Sequence, residues 1–211
     1  KQQGEGFGFS LFAGNNQQLR YGQSDPFTTF KGNYRYRSVD VFGQVDFWER
    51  HNTAVSTAMQ NSFYKENNAL VQLEQDNRFR SDWHAYGLNY TFGSNWQISD
   101  KHSVGFRLQY NDRLYDWNHA DIQTDYYRNG MFEDHIDGIE SEKVTMPYHW
   151  QGNSYYNGQL GKINIDLNVD FYSNKKQADA KTDEYYQIGE ANHVNSESNT
   201  ADHMVAEKLV L

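Results

Sequence analysis

The sequence predicts an all-β protein, an antiparallel up-and-down meander of about eight strands. Three observations predict it. Apolar residues recur with period two rather than 3.6. The connections between alternating segments are by turns short and long. Aromatic residues gather near the predicted strand ends.

The elements follow in order. Phe7 to Ala13 is a weak first strand. Phe30, Gly32, Tyr34 and Tyr36 then face away from Lys31, Asn33, Arg35 and Arg37. Val39, Val41, Gly43, Val45 and Phe47 oppose Asp40, Gln44 and Asp46, with Phe42 an apolar exception among the polar positions. His84, Tyr86, Leu88, Tyr90 and Phe92 continue the pattern, as do Val104, Phe106, Leu108 and Tyr110 against Arg107 and Gln109. Ser154 to Leu160 is weaker. Ile163, Ile165, Leu167, Val169 and Phe171 give the clearest alternation, against Asn164, Asp166, Asn168, Asp170 and Tyr172. His203 to Leu211 closes the series. Such alternation is what a strand with one apolar and one wet face requires.

Arg37-Ser38, Gly93 to Lys101 and Gly161-Lys162 are the short or modest turns. The polar stretches 49–82, 112–149 and 175–202 are expected to be long loops, in part strand extensions (Ala54 to Tyr64, Leu70 to Arg80). Short turns at one end and long loops at the other are the layout of outer-membrane barrels. The whole chain, 1–211, therefore reads as one barrel segment with long extracellular loops. Asp40, Gln44, Asp46, Arg107, Asp166, Asn168 and Asp170 become the candidates for a wet lumen wall. A soluble antiparallel sheet with one solvated face alternates equally well and stays open as a β-sandwich binding module. So does a complete eight-stranded barrel with an adhesive or structural role.

Composition narrows function. The chain of 211 residues has no cysteine, which excludes disulfides, a thiol nucleophile and Cys-ligated metal centres. A net charge of −9 disfavours nucleic acid as a partner. There is no run of ~18 apolar residues, so no helix spans a membrane. The chain opens at Lys1 without Met and stops inside an alternating run, which reads as a segment of a longer product.

No catalytic signature occurs, and an enzyme is not expected. Asp166 and Asp170 share a face but stand about 13 Å apart along a strand, too far for paired-carboxylate hydrolysis. His119, Asp121, Asp125, Glu133, Asp134, His135, Asp137 and Glu140 form a carboxylate-rich stretch whose spacing matches no EF-hand loop. No metal and no cofactor are expected. His51, His84, His149, His193 and His203 read as interfacial or lumen-facing. The doublets Tyr126-Tyr127, beside Arg128, and Tyr185-Tyr186, beside Gln187, are the ligand-contact candidates. Ring faces stack on sugars or peptides while the edges stay wet.

Particular stretches resemble a known family. Gly87 to Gly93 (GLNYTFG) followed by Trp96 to Asn111 (WQISDKHSVGFRLQYN) resembles a hairpin in which an I-x-D-K-H-S-x-G turn launches the next strand. Asn157 to Tyr172 (NGQLGKINIDLNVDFY) is similar to the NGxxGK…IDxNxDY hairpin of the same group, with Phe171 in place of its first Tyr. Gly4 to Gly8 and Gly32 to Gly43 resemble first barrel strands after a plug. Together they resemble the barrels of TonB-dependent outer-membrane receptors common in Bacteroidetes. The resemblance implies a Gram-negative outer-membrane location and uptake of a siderophore, glycan or peptide. It also implies a parent with a plug domain, TonB as energy-coupling partner, outer-membrane lipid around the wall and room for a surface lipoprotein cap. The plug and the remaining barrel strands are not in this chain, which would supply wall and loops.

Overall fold

A computed structural model describes residues 4–211. It is one open eight-stranded antiparallel sheet in sequence order, without a helix among the described residues. The strands are β1 (Gly6–Gln18), β2 (Gln23–Tyr36), β3 (Val39–Glu66), β4 (Ala69–Ser99), β5 (His102–Arg128), β6 (Met131–Leu160), β7 (Ile163–Tyr186) and β8 (Asn192–Val210).

The expected long loops are replaced by strand. Stretches 49–82, 112–149 and 175–202 form tall hairpins, joined by Asn67-Asn68, by Asn129-Gly130 and by residues 187–191. Asn67 and Asn68 have φ of 49° and 65°, and Asn129 and Gly130 have 50° and 77°. Two consecutive left-handed residues make the turn whose twist matches a hairpin, and Asn and Gly adopt it most readily. The strand extensions expected at 54–64 and 70–80 are present in β3 and β4, while the hairpins over 112–149 and 175–202 were expected as loops because their sequences are largely polar. The backbone ladder needs no apolar face to pair.

Directly paired residues share a face, so the register sorts the side chains. One face carries Asp40, Asn95, Tyr155 and Asn168 in a single row, and Gln44, Thr91, Gln109, Gln151 and Tyr172 in another. We call it the polar face. The other carries Val45, Tyr90, Tyr110 and Trp150 in one row, and Val39, Trp96, Val104, Tyr156, Leu167 and Leu209 in another.

The sheet curls toward its polar face. Buried Val71, Ala85, Thr91, Asp116, Ala120, Thr124, Val144, Asn174 and Ala178 all project there, with Thr53 the buried exception on the other face. Side chains crowd one another on a concave surface and spread apart on a convex one. Bulges at Tyr86/Gly87, Tyr126/Tyr127 and Thr145/Tyr148 bend the ladder further.

Glycine allows the close approaches. At the Tyr86/Gly87 bulge, a Cβ on Gly87 would lie 2.3 Å from the Asp112 carbonyl oxygen, a backbone atom that cannot swing aside. On Gly105 it would meet the Tyr155 ring, which crosses that position so that its hydroxyl donates to Asn95 Oδ1 at 2.9 Å. Gly43 has only ordinary contacts, the nearest at 3.7 Å. Gly87→Ala is therefore expected to destabilise the sheet by about 1–3 kcal/mol, and Gly43→Ala by well under about 1 kcal/mol. Urea midpoints check the difference; equal effects would contradict the close packing at the bulge.

Candidate functional site

The seven lumen candidates, Asp40, Gln44, Asp46, Arg107, Asp166, Asn168 and Asp170, all project from the polar face. They are partly linked. Asp46 Oδ1 accepts from Thr29 Oγ1 at 2.6 Å and from Gln44 Nε2 at 2.8 Å. Asn153 Nδ2 donates to Asn168 and to Asp170 at 2.7 and 2.6 Å. The Oδ1 of Asp40 is buried without a hydrogen-bond partner.

The tyrosine doublets lie on strand ends, not in loops, and strand alternation splits each one between the two faces. Tyr126 and Tyr186 stand on the polar face, Tyr127 and Tyr185 on the other. Tyr127 packs edge-on against Phe132 at 5.8 Å and Tyr185 against His193 at 6.2 Å. Arg128 is paired with Glu66 and, at 3.6 Å, with Glu133, while its guanidinium lies over the Tyr64 ring. Gln187 is tied through its backbone, donating from N to the His135 carbonyl at 2.8 Å.

Tyr126 and Tyr186 share their patch with Glu184 and Asp134. The Tyr186 hydroxyl donates to Glu184 Oε2 at 2.8 Å, and Asn192 Nδ2 donates to the same oxygen at 3.1 Å. These two bonds hold the Glu184 carboxyl below the usual range. The carboxylate in turn raises the Tyr186 phenol, while burial first and then Glu184 and Asp134 raise that of Tyr126. The patch keeps neutral phenols beside anionic acceptors, a surface suited to hydroxyl-rich or cationic groups.

The opposite face changes character along its length. Its lower half is apolar, with Phe7, Phe9, Leu11, Phe30, Phe92, Phe106, Ile163 and Val205 exposed. Asp112, Lys175 and Glu207 are charged positions on it. Above Tyr86 and Tyr115, whose rings stack at 5.3 Å, it turns charged. Asp82 there accepts from Arg80 Nε at 2.9 Å and from Thr53 Oγ1 at 2.5 Å, which lowers its carboxyl pKa, Arg80 contributing most. Asp125 meets His135 Nδ1 at 2.6 Å and Arg78 at 3.5 Å. The acidic stretch expected as a loop is thus spread over β5 and β6 and largely paired within the sheet.

One cluster was not expected from sequence. Glu49 and His51 are two apart on β3, and His84 is the register partner of His51 on β4. The imidazoles stack at 4.0 Å. His84 Nε2 donates to Glu49 Oε1 at 2.8 Å. The backbone N–H and Nδ1–H of His51 donate to Asp25 Oδ1 at 2.7 and 3.0 Å. Glu-x-His was visible in sequence; its partner depended on the hairpin register.

Compared with known proteins, the chain matches no family model and no curated sequence.

The hydrogen bond to Asp125, reinforced by Asp137, raises the pKa of His135 against a smaller opposing effect of burial. The folded hairpin therefore favours the protonated ring. That contribution is complete below the ordinary histidine value of 6.5 and is lost as pH rises through the raised value. Imidazole NMR titration should give His135 a value above 6.5 that falls in Asp125→Asn. A value at or below the ordinary one in the native chain would contradict the pairing.

Proposed function

We propose that the chain is a wall segment of a transmembrane β-barrel in a Gram-negative outer membrane, belonging to a TonB-dependent receptor. The observation that carries this reading is the face that switches from apolar to charged while the opposite face stays mostly polar. From Tyr86 to Trp96 on β4 the apolar band runs about 33 Å along the strand, or about 25 Å high at a ~40° tilt. That is the height of the lipid-facing band of outer-membrane barrels. Tyr86, Tyr115 and Trp117 border it above, and Tyr36, Trp96 and Tyr156 below, as interfacial aromatics do. Lipid covers the apolar face, the polar face lines the lumen, and the tall charged hairpins stand outside.

The unpaired edges of β1 and β8 support a segment over a closed eight-stranded barrel, since closure would pair them. In such a receptor the segment contributes wall and rim. Tyr126, Tyr186, Glu184 and Asp134 would meet the ligand at the lumen rim, where they favour a glycan or a peptide over an anionic siderophore. The plug, TonB and any lipoprotein cap belong to the parent.

The absence of cysteine makes a clean test available. Single cysteines at Leu88, Val169, Gln44 and Asp170, each carrying a fluorophore, are compared in vesicles of brominated lipid. Lipid is expected to quench the first two and to spare the last two; equal quenching on both faces would refute the membrane reading. The receptor assignment is tested by the surrounding reading frame. A plug domain before the segment and further alternating strands after it are expected, and a frame with neither rules the receptor out.

A further inference from the structure

We propose that Glu49, His51 and His84 form a binding site for a divalent transition-metal ion of the zinc class, with Asp25 behind His51. The argument rests on hairpin register and is independent of the receptor reading.

Three adjacent positions on one sheet face converge: i and i+2 of β3, and the residue directly opposite on β4. Tetrahedral zinc with bonds of ~2.0–2.1 Å separates its ligand atoms by about 3.4 Å. Glu49 Oε1 lies 2.8 Å from His84 Nε2 and 3.8 Å from His51 Nε2, one on each side of that value. All three atoms lie within 4.8 Å of one another. The rings are stacked at 13° to one another, so metal binding requires them to turn about their Cβ–Cγ bonds until both Nε2 atoms face one ion.

The Asp25 carboxylate makes the set more than an ion pair. It accepts the hydrogen bond of His51 Nδ1–H, which fixes the tautomer that leaves Nε2 as a lone pair. Carboxylates hold ligating histidines in this way in metal sites. A surface ion pair needs one imidazole, as His135 with Asp125 or His193 with Asp183 supplies. Here two imidazoles stand face to face, an arrangement that repels if both are protonated and chelates if both are neutral. A set of two nitrogens and one carboxylate oxygen suits zinc over the harder calcium or magnesium.

Binding requires the His84 tautomer protonated at Nδ1. The proton between Nε2 and Glu49 leaves Nε2. It passes to solvent from a doubly protonated ring, or is replaced by one at Nδ1 in a neutral ring, and the metal takes the freed Nε2 lone pair. The metal joins β3 to β4 and, through Asp25, to β2. Its fourth position is open to water.

The test is a titration of the intact chain in detergent micelles with Co²⁺ and then Zn²⁺. One equivalent of Co²⁺ should give a tetrahedral visible band that Zn²⁺ displaces. His84→Ala and Glu49→Ala should weaken binding by about 100-fold or more, and Asp25→Asn by about 10–100-fold. His193→Ala should leave it unchanged. His84→Cys, which restores a ligand of zinc type, should recover Co²⁺ binding with a thiolate charge-transfer band, separating loss of ligand from loss of fold. Absence of saturable one-equivalent binding, or unchanged affinity in His51→Ala/His84→Ala, overturns the proposal.

Discussion

A single antiparallel ladder carries the whole structure. Each strand pairs with the next, so each interior strand satisfies its backbone on both sides while no second layer covers either face. The buried apolar residues, Val71, Ala85, Ala120, Val144 and Ala178, are small and scattered, and they make no conventional core. An ordinary domain buries an apolar face against another layer. Here Phe9 is 72% and Val205 is 69% exposed on the face that would need one. The architecture thus leaves an apolar face uncovered within the chain, and the proposed membrane reading supplies lipid as its cover.

The two surfaces solve different problems on one backbone. The polar face curls inward and fits its side chains by alternating bulk with glycine, as where Tyr155 crosses Gly105 to reach Asn95. The other face divides by height. Below Tyr86 and Tyr115 its side chains gain from leaving water. Above them Asp82, Arg80, Asp125 and His135 pair across neighbouring positions and remain wet. Exposed pairs of this kind add little to stability. They hold charged side chains together on the upper strands, which the ladder keeps in register across neighbouring hairpins.

Register also creates the chemistry. His51 meets His84, and Tyr126 comes to share a patch with Glu184, because strands align residues that are distant in sequence. Adjacent residues such as Tyr185 and Tyr186 are separated by the same geometry. A doublet in a strand is two single residues on opposite surfaces.

Sequence alone determined the strand class, the alternation and, strand by strand, the polar side on which Asp40, Gln44, Asp46, Arg107, Asp166, Asn168 and Asp170 lie, because period two is a local property; register brings those sides onto one face. It also contained the turn at Asn129-Gly130, a strong hairpin signal, though the polarity of the flanking stretches hid its meaning. Tertiary structure decided the height of the hairpins and the direction of curl. It also brought Glu49, His51, His84 and Asp25 together. The β3–β4 turn at Asn67-Asn68 sets a register in which every paired number sums to 135. Once that turn is known, His84 must oppose His51. Before it is known, no local pattern selects that partner, because a slip of one residue would send the two rings to opposite faces.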